Sequence, residues 1–159
     1  MQLNTGTVEA FYKALQARDH AAMSECYHAS IHFSDPVFTD LRGNEVAAMW
    51  HMLCERGTDL VVTFDNVQAD GDRAGAHWEA RYSFGPTNRA VHNKVSASFI
   101  LEDGKIIRHV DDFDLWRWTR MALGAAGWLT GWTGLTQSKV RATARRGLSK
   151  FIEGHPEYQ

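Results

Sequence analysis

Apolar residues recur at two different periods along this chain, and the change of period separates a helical layer from a sheet. Val8, Phe11, Tyr12 and Leu15 fall at i, i+3, i+4 and i+7, one stripe of a helix that Thr5 or Thr7 can cap. Asp19 caps a short second helix with Met23, Cys26 and Tyr27 facing inward. Residues 31–36 read as a brief strand stopped by Pro36. Gly43 and Asn44 open a third helix, with Val46, Met49, Trp50 and Leu53 at helical spacing and Gly57 at its end.

From residue 60 the period drops to two. Strands are expected over 60–69, 74–84, 91–101 and 105–114, joined by short turns such as Asp70-Gly71-Asp72 and Glu102-Asp103-Gly104, which makes an antiparallel, curled meander. Ala76, Trp78, Ala80, Tyr82 and Phe84 share one face of the second of these strands. Asn93, Val95, Ala97, Phe99 and Leu101 share one face of the third. Helices first and a meander afterwards predict an α+β fold with the helices on one face of the sheet.

The tail breaks the pattern. Residues 115–123 read as a helix. Gly124, Gly127, Gly131 and Gly134 then argue against a stable helix, although Trp128, Leu129, Trp132 and Leu135 lie among them. Ser138 is the expected cap of a last helix with Val140, Ala144, Leu148, Phe151 and Ile152 on one side and a basic opposite side. The division expected is a core over 1–116 and a helical extension of the same domain over 117–159.

Composition changes this picture in three places. A chain of 159 residues is one domain with a real core. Its net charge of −2 gives no reason to expect nucleic acid, but from Trp116 to Ile152 there is no Asp or Glu beside Arg117, Arg120, Lys139, Arg141, Arg145, Arg146 and Lys150. Cys26 and Cys54 form neither a disulfide framework nor a metal spacing. The N-terminal residues lack a signal-peptide pattern and no stretch has the length of a membrane span, so a soluble cytoplasmic protein is expected.

Candidate chemistry concentrates in the last strand. Ile107, His109, Asp111 and Phe113 alternate onto one face, and Ile106, Arg108, Val110 and Asp112 onto the other. His109 and Asp111, two residues apart on a strand, lie roughly 6–7 Å apart at the backbone. In an apolar pocket they form a proton-transfer pair. The alternative for Asp111 is a buried carboxylate held by Trp, Tyr or Asn donors without chemistry, and for His109 a strand histidine packed under the tail. Asp112 and Asp114 are expected to cap the following helix. Asp35, just before Pro36, is expected to bond the backbone of its turn. There is no phosphate-binding glycine loop and no His/Cys ligand cluster.

The motifs Val8-x-x-Phe11-Tyr12-x-Ala14-Leu15-x-Ala17-x-Asp19, Phe33-Ser34-Asp35-Pro36, Gly43 opening a helix that contains Trp50, Asp103-Gly104-Lys105-Ile106 and Asp111-Asp112-Phe113-Asp114 resemble the nuclear transport factor 2-like superfamily. That group includes ketosteroid isomerases, limonene epoxide hydrolases, scytalone dehydratases and small SnoaL-like polyketide cyclases. The resemblance covers residues 5–116 and implies a cone-shaped sheet whose concave side, closed by helices, holds a largely apolar cavity. It sets Asp35 at the place of the ketosteroid isomerase base, while Phe11 and Ala97 stand where that enzyme's two oxyanion donors would be. It sets Asp111 at the place of an epoxide hydrolase acid/base, without that enzyme's Arg-x-Asp pair on an earlier strand.

These readings together predict a cofactor-free acid/base enzyme for a small hydrophobic molecule, with Asp111 as principal acid/base, His109 as its partner and Asp35 as a further base. Phe11, Tyr12, Trp50, Trp78, Tyr82, Asn93, Phe99 and Phe113 are the expected pocket residues, and no metal is expected. The rivals are a non-catalytic module that binds a hydrophobic ligand in the same cavity, and an interaction subunit that works through its tail. The tail can lid the cone, wrap a second subunit or touch a membrane. By analogy with the family a homodimer is expected, with membrane contact the least favoured.

Overall fold

The computed structural model describes residues 2–159, with side chains from residue 4 onward. Three helices come first, α1 (Gln2–Gln16), α2 (His20–Glu25) and α3 (Asn44–Arg56), with the strands β1 (Tyr27–Ser34) and β2 (Leu41–Arg42) between α2 and α3. A run of four strands follows: β3 (Val61–Asp70), β4 (Arg73–Phe84), β5 (Arg89–Glu102) and β6 (Lys105–Asp112). Helices α4 (Leu115–Leu123), α5 (Ala125–Thr130) and α6 (Gly134–Glu153) and a closing 3-10 turn, Pro156–Tyr158, end the chain. No helix among the described residues is long and apolar enough to cross a membrane.

The six strands form one sheet in the order β2-β1-β6-β5-β4-β3. The meander β3–β6 is antiparallel throughout. The sheet as a whole is mixed, because β1 runs parallel to β6. This differs from an all-antiparallel expectation, and the reason is connectivity: α3 and the meander lie between the two strands, long enough for a crossover. The fold is thus α+β, with helices on the concave face.

The α1 stripe packs as its spacing requires. Val8, Phe11, Tyr12 and Leu15 are all fully buried against the sheet, each worth about 1.5–3 kcal/mol of burial. On β5 the buried residues alternate strictly as Val91, Asn93, Val95, Ala97, Phe99 and Leu101. Helix α3 turns slightly from its expected stripe: Cys54 is buried and Leu53 is exposed. Tyr27 faces inward as expected, but as the first residue of β1 rather than in a helix.

The register of the sheet shifts in three pairings, between Tyr27 and His32 of β1, in β3 and in β6. In β3 the register shifts between Asp65 and Gln68, where Asn66 takes a left-handed φ of 53°, a conformation Asn tolerates better than most residues. In β6, Leu101 pairs Ile106 while the adjacent Ile100 pairs Arg108, so Ile107 is the extra residue. This overturns the simple alternation expected for β6. Ile106, His109 and Asp111 are buried, Ile107 is half-buried and Arg108 is exposed.

The tail is helical where glycines argued against it. Gly127 and Gly131 sit so close to α4 that an added Cβ would lie 2.0 Å from the Thr119 carbonyl oxygen and 2.0 Å from Thr119 Oγ1, respectively. The glycines therefore permit α5 to lie against α4 rather than breaking it. Gly124, at φ 65°, makes the turn between the two. Asp114 caps α4 by accepting from the Arg117 N–H at 2.9 Å, as expected, while Asp112 is exposed. Thr133, not Ser138, caps α6 by accepting from the Thr136 N–H. The expected inner side of α6 holds, with Leu148 and Phe151 buried.

Candidate functional site

A single hydrogen-bonded chain of side chains runs through the interior of the cone. Trp50 Nε1–H on α3 donates to Tyr27 Oη on β1 at 2.9 Å. Tyr27 Oη lies 2.8 Å from His109 Nδ1, and His109 Nε2 lies 2.8 Å from Asp111 Oδ1. Trp78 Nε1–H on β4 donates a longer bond, 3.4 Å, to the same Asp111 oxygen. Register explains the meeting. Asp111 pairs with Ala97, and Ala97 with Ala76, so two small residues lie on the path from Asp111 toward Trp78.

One proton arrangement satisfies every member of the chain. Tyr27 accepts from Trp50, so its own proton goes to Nδ1; the imidazole is then neutral, with its N–H on Nε2 directed at an ionised Asp111 carboxylate. His109 is 0% exposed and Asp111 3%. The imidazole is enclosed by Phe11, Phe33, Trp50 and Phe99, whose ring centroids lie 5.4, 5.0, 6.2 and 4.4 Å from its own. Burial and the nearby Asp111 charge push the hydroxyl groups of Tyr12 and Tyr27 well above the usual tyrosine range. Tyr12 Oη is buried with no hydrogen-bond partner.

Asp35 stands apart from this chain but feels it. β1 pairs Phe33 with His109 and Ser34 with Val110, so the next residue, Asp35, comes alongside Asp111. Its Oδ1 accepts from the Val37 and Phe38 N–H groups at 2.7 and 2.6 Å, which holds the carboxyl rigidly in its turn. Burial raises its pKa from 3.8 to about 7; the amide bonds oppose this and the Asp111 charge adds to it. The Oδ2 oxygen is not used by those amides, and the residue is half-buried. Nearby, Tyr82 Oη accepts from Trp118 Nε1–H at 2.8 Å, which leaves its own proton free to donate. Burial raises the Tyr82 hydroxyl, the Trp118 bond lowers it, and the Asp35 charge raises it again.

The expected site residues therefore divide. Asp111, His109, Trp50 and Trp78 are joined in one chain. Phe11, Tyr12 and Phe99 pack around it, and Asn93 is buried higher on β5. Tyr82 and Phe113 are half-buried where the main core meets the smaller cluster of Val91, Leu115, Trp118 and Ala122. The space around His109 is filled with rings, where an open apolar cavity was expected. Tyr27 was missed as a site residue; its inward position was legible, but its contact with His109 depends on the parallel β1–β6 pairing.

A surface pocket of about 250 Å³ lies against the Asp35 turn, lined by Val37, Phe38, Thr39, Asp40, Arg141, Ala142 and Arg145. Arg141 Nε–H donates to the Pro36 carbonyl at 2.9 Å, so α6 is fastened to the turn that positions Asp35. A second pocket, between α1, α2 and the Gly104–Lys105 turn, is remote from these groups.

Comparison with known proteins agrees with this architecture. The SnoaL-like domain family matches residues 8–109. No curated protein matches the chain. Among solved structures, an NTF2-like protein of unknown function from Burkholderia pseudomallei is similar at 19% identity and TM-score 0.68, over 76% of this chain and 98% of that one. An LEH-like epoxide hydrolase from M. tuberculosis is similar at 23% identity and TM-score 0.66, over 80% and 96%. TerC, crystallised with polyporic acid, is similar at 15% identity and TM-score 0.64, over 75% and 97%. Other chains of this fold carry the names polyketide cyclase and ketosteroid isomerase. These likenesses show the fold.

Proposed function

The chain belongs to the SnoaL-like domain family, and on that footing we propose that it is an acid/base enzyme for a small hydrophobic molecule, needing no cofactor for its proton transfer. Asp35 is the group that exchanges the proton. The observation that carries this reading is a half-buried carboxyl raised to about 7 by its surroundings while one of its oxygens is locked by two amides. A base or acid of that pKa is half-protonated at neutral pH, where it can both take and return a proton.

In this reading Asp35 Oδ2 removes a proton from substrate carbon or from water, and the Tyr82 hydroxyl, already accepting from Trp118, donates to the oxygen on which charge develops. Asp111 and His109 act from beneath. The Asp111 charge adds to the burial that raises Asp35, which makes Asp111 and its partner His109 positioning residues rather than groups that touch the substrate. Isomerisation, dehydration, cyclisation and epoxide opening all use this pair of roles. The substrate enters between the 36–38 turn and the tail, where Val37, Tyr82 and Phe113 join the two apolar clusters.

A second reading is favoured by one observation, the closure of the Trp50–Tyr27–His109–Asp111 chain. A fully paired chain can serve only to fix the core of a ligand-binding module. Turnover separates the two. A panel of apolar enones, epoxides and β-hydroxy ketones is incubated with the protein and with Asp35→Asn, and products are followed by mass spectrometry. The enzyme reading expects turnover that falls about 10²–10⁴-fold in the variant. Turnover unchanged in Asp35→Asn, or ligand binding by both proteins with turnover by neither, would overturn it.

As to assembly, the proposal includes a homodimer. Trp128, Leu129, Trp132 and Leu135 are 58, 76, 63 and 78% exposed, on α5, the turn after it and the start of α6, apolar side chains that a second copy would cover.

A further inference from the structure

The end of the chain folds back onto α3 and brings His155 beside His51 and Glu55, which stand about 100 residues earlier in the sequence. His51 and Glu55 lie one turn apart on α3, with His51 Nε2 3.5 Å from Glu55 Oε2. The chain leaves α6 at Gly154, and His155 comes to rest beside them. One ligand atom from each of His51, Glu55 and His155 lies within 4.8 Å of the other two. We propose that His51, Glu55 and His155 bind one divalent ion of the zinc class, which clamps the C-terminal turn to α3.

The surroundings orient both imidazoles for this. His155 stacks on Phe151 with centroids 3.9 Å apart, and its Nδ1 lies 2.7 Å from the Phe151 carbonyl oxygen. A carbonyl can only accept, so the ring N–H sits on Nδ1 and Nε2 keeps a free lone pair. His51 Nδ1 lies 2.9 Å from Tyr158 Oη, which leaves its Nε2 toward Glu55. The ring is further held by His20, stacked at 3.7 Å, and by the edge contact with Phe151 at 5.0 Å. A second hydrogen bond that fixes the far nitrogen of each ligand imidazole is the usual support of a metal site.

Donor chemistry selects the ion. Two imidazoles and one carboxylate suit zinc and its neighbours, with water completing four ligands, and do not suit magnesium or calcium, which take oxygen ligands. Ligands about 2.0–2.1 Å from a tetrahedral ion stand about 3.4 Å apart; the His51–Glu55 pair already has that spacing at 3.5 Å, and the widest separation, within 4.8 Å, must close by at most about 1.4 Å. Glu55, 61% exposed, can swing inward to do so. A second cluster on the outer face of the sheet differs. There Glu79 uses one oxygen on His77 at 3.0 Å and the other on His92 at 2.5 Å, so its carboxylate is already occupied by two ring nitrogens.

The test is calorimetric titration of the chelator-treated full chain with zinc chloride and, separately, magnesium chloride. One zinc per chain and no magnesium uptake at the same concentration are expected. Glu55→Gln and His155→Gln each weaken zinc binding at least about 10-fold, Glu79→Gln leaves it unchanged, and zinc raises the Tm of the wild type but of neither ligand variant. Circular dichroism checks folding; Glu55, on the surface, decides the matter alone if His155→Gln misfolds. Absence of saturable zinc binding, binding indifferent to Glu55→Gln, or binding lost in Glu79→Gln overturns the proposal.

Discussion

Asp35→Asn should change how stability depends on pH, by an amount that follows from the structure. The folded chain holds the Asp35 proton up to about pH 7, whereas a free carboxyl releases it near 3.8. Between those values the folded state binds a proton that the unfolded state has lost, so wild-type stability falls as pH rises through the window. Each pH unit between the two values is worth about 1.4 kcal/mol, giving about 4 kcal/mol in full. Asp35 is only half-buried, and solvent screening brings this toward about 2 kcal/mol. Asparagine keeps an oxygen for the Val37 and Phe38 amides but cannot ionise. Urea unfolding of both proteins at steps from about pH 4 to pH 8.5 gives the difference in unfolding free energy, in which titrating groups that do not interact with Asp35 cancel. That difference should move in favour of the variant by about 2–4 kcal/mol across the window. A flat difference, or one that moves toward the wild type, would refute both the raised pKa and the catalytic role built on it.

Asp111→Asn should lower the Asp35 pKa below about 7, seen by carboxyl-carbon NMR titration, because the Asp111 charge helps to raise it. Tyr27→Phe removes the acceptor of Trp50 Nε1–H and the donor to His109 Nδ1; leaving two buried polar atoms unpaired should cost about 2–4 kcal/mol in urea unfolding. Gly127→Ala puts a methyl where the Thr119 carbonyl oxygen stands 2.0 Å away, and should part α5 from α4 with a loss of about 1–3 kcal/mol and a lower thermal midpoint. Leu129→Asp should convert the proposed dimer to monomer in light scattering, with unfolding free energy within about 0.5 kcal/mol of wild type; a wild type that is already monomeric rejects the dimer.

Much of the layout was legible because it rests on period. The stripe Val8–Phe11–Tyr12–Leu15 and the alternating face of β5 are local patterns, and each folds as its spacing requires. What escaped were features that depend on partners distant in sequence. The β6 bulge at Ile107 exists because Ile106 and Arg108 pair adjacent residues of β5, and no property of Ile107 announces it. Gly127 and Gly131 look like helix breakers until Thr119 is seen against them. Ser138 has the right chemistry for a cap, but Thr133 stands just before α6 and takes that place. Tyr27 reached the site through the parallel pairing of β1 with β6, which joins residues 82 positions apart at the Tyr27–His109 bond. The cluster at His51 likewise closes only when the chain end returns to α3.

A buried carboxylate beside an imidazole is an expensive way to fill the centre of an apolar cone, since aromatic and aliphatic side chains of similar volume fill such space without desolvating a charge. The chain from Trp50 to Asp111 meets part of that cost by giving every donor an acceptor, and its protons all run toward the carboxylate. Had His109 been a leucine, Asp111 would keep only the 3.4 Å bond from Trp78. With His109 in place the carboxylate is held beside the end of β1, where Asp35 lies. At Asp35, burial raises the carboxyl to about 7; the Phe38 and Val37 amides oppose this, and the Asp111 charge adds to it through space. In the proposed mechanism the buried network acts on the chemistry without meeting the substrate. It follows that substitutions in the network should shift the pH profile of turnover, whereas substitutions at Tyr82 should lower turnover at every pH.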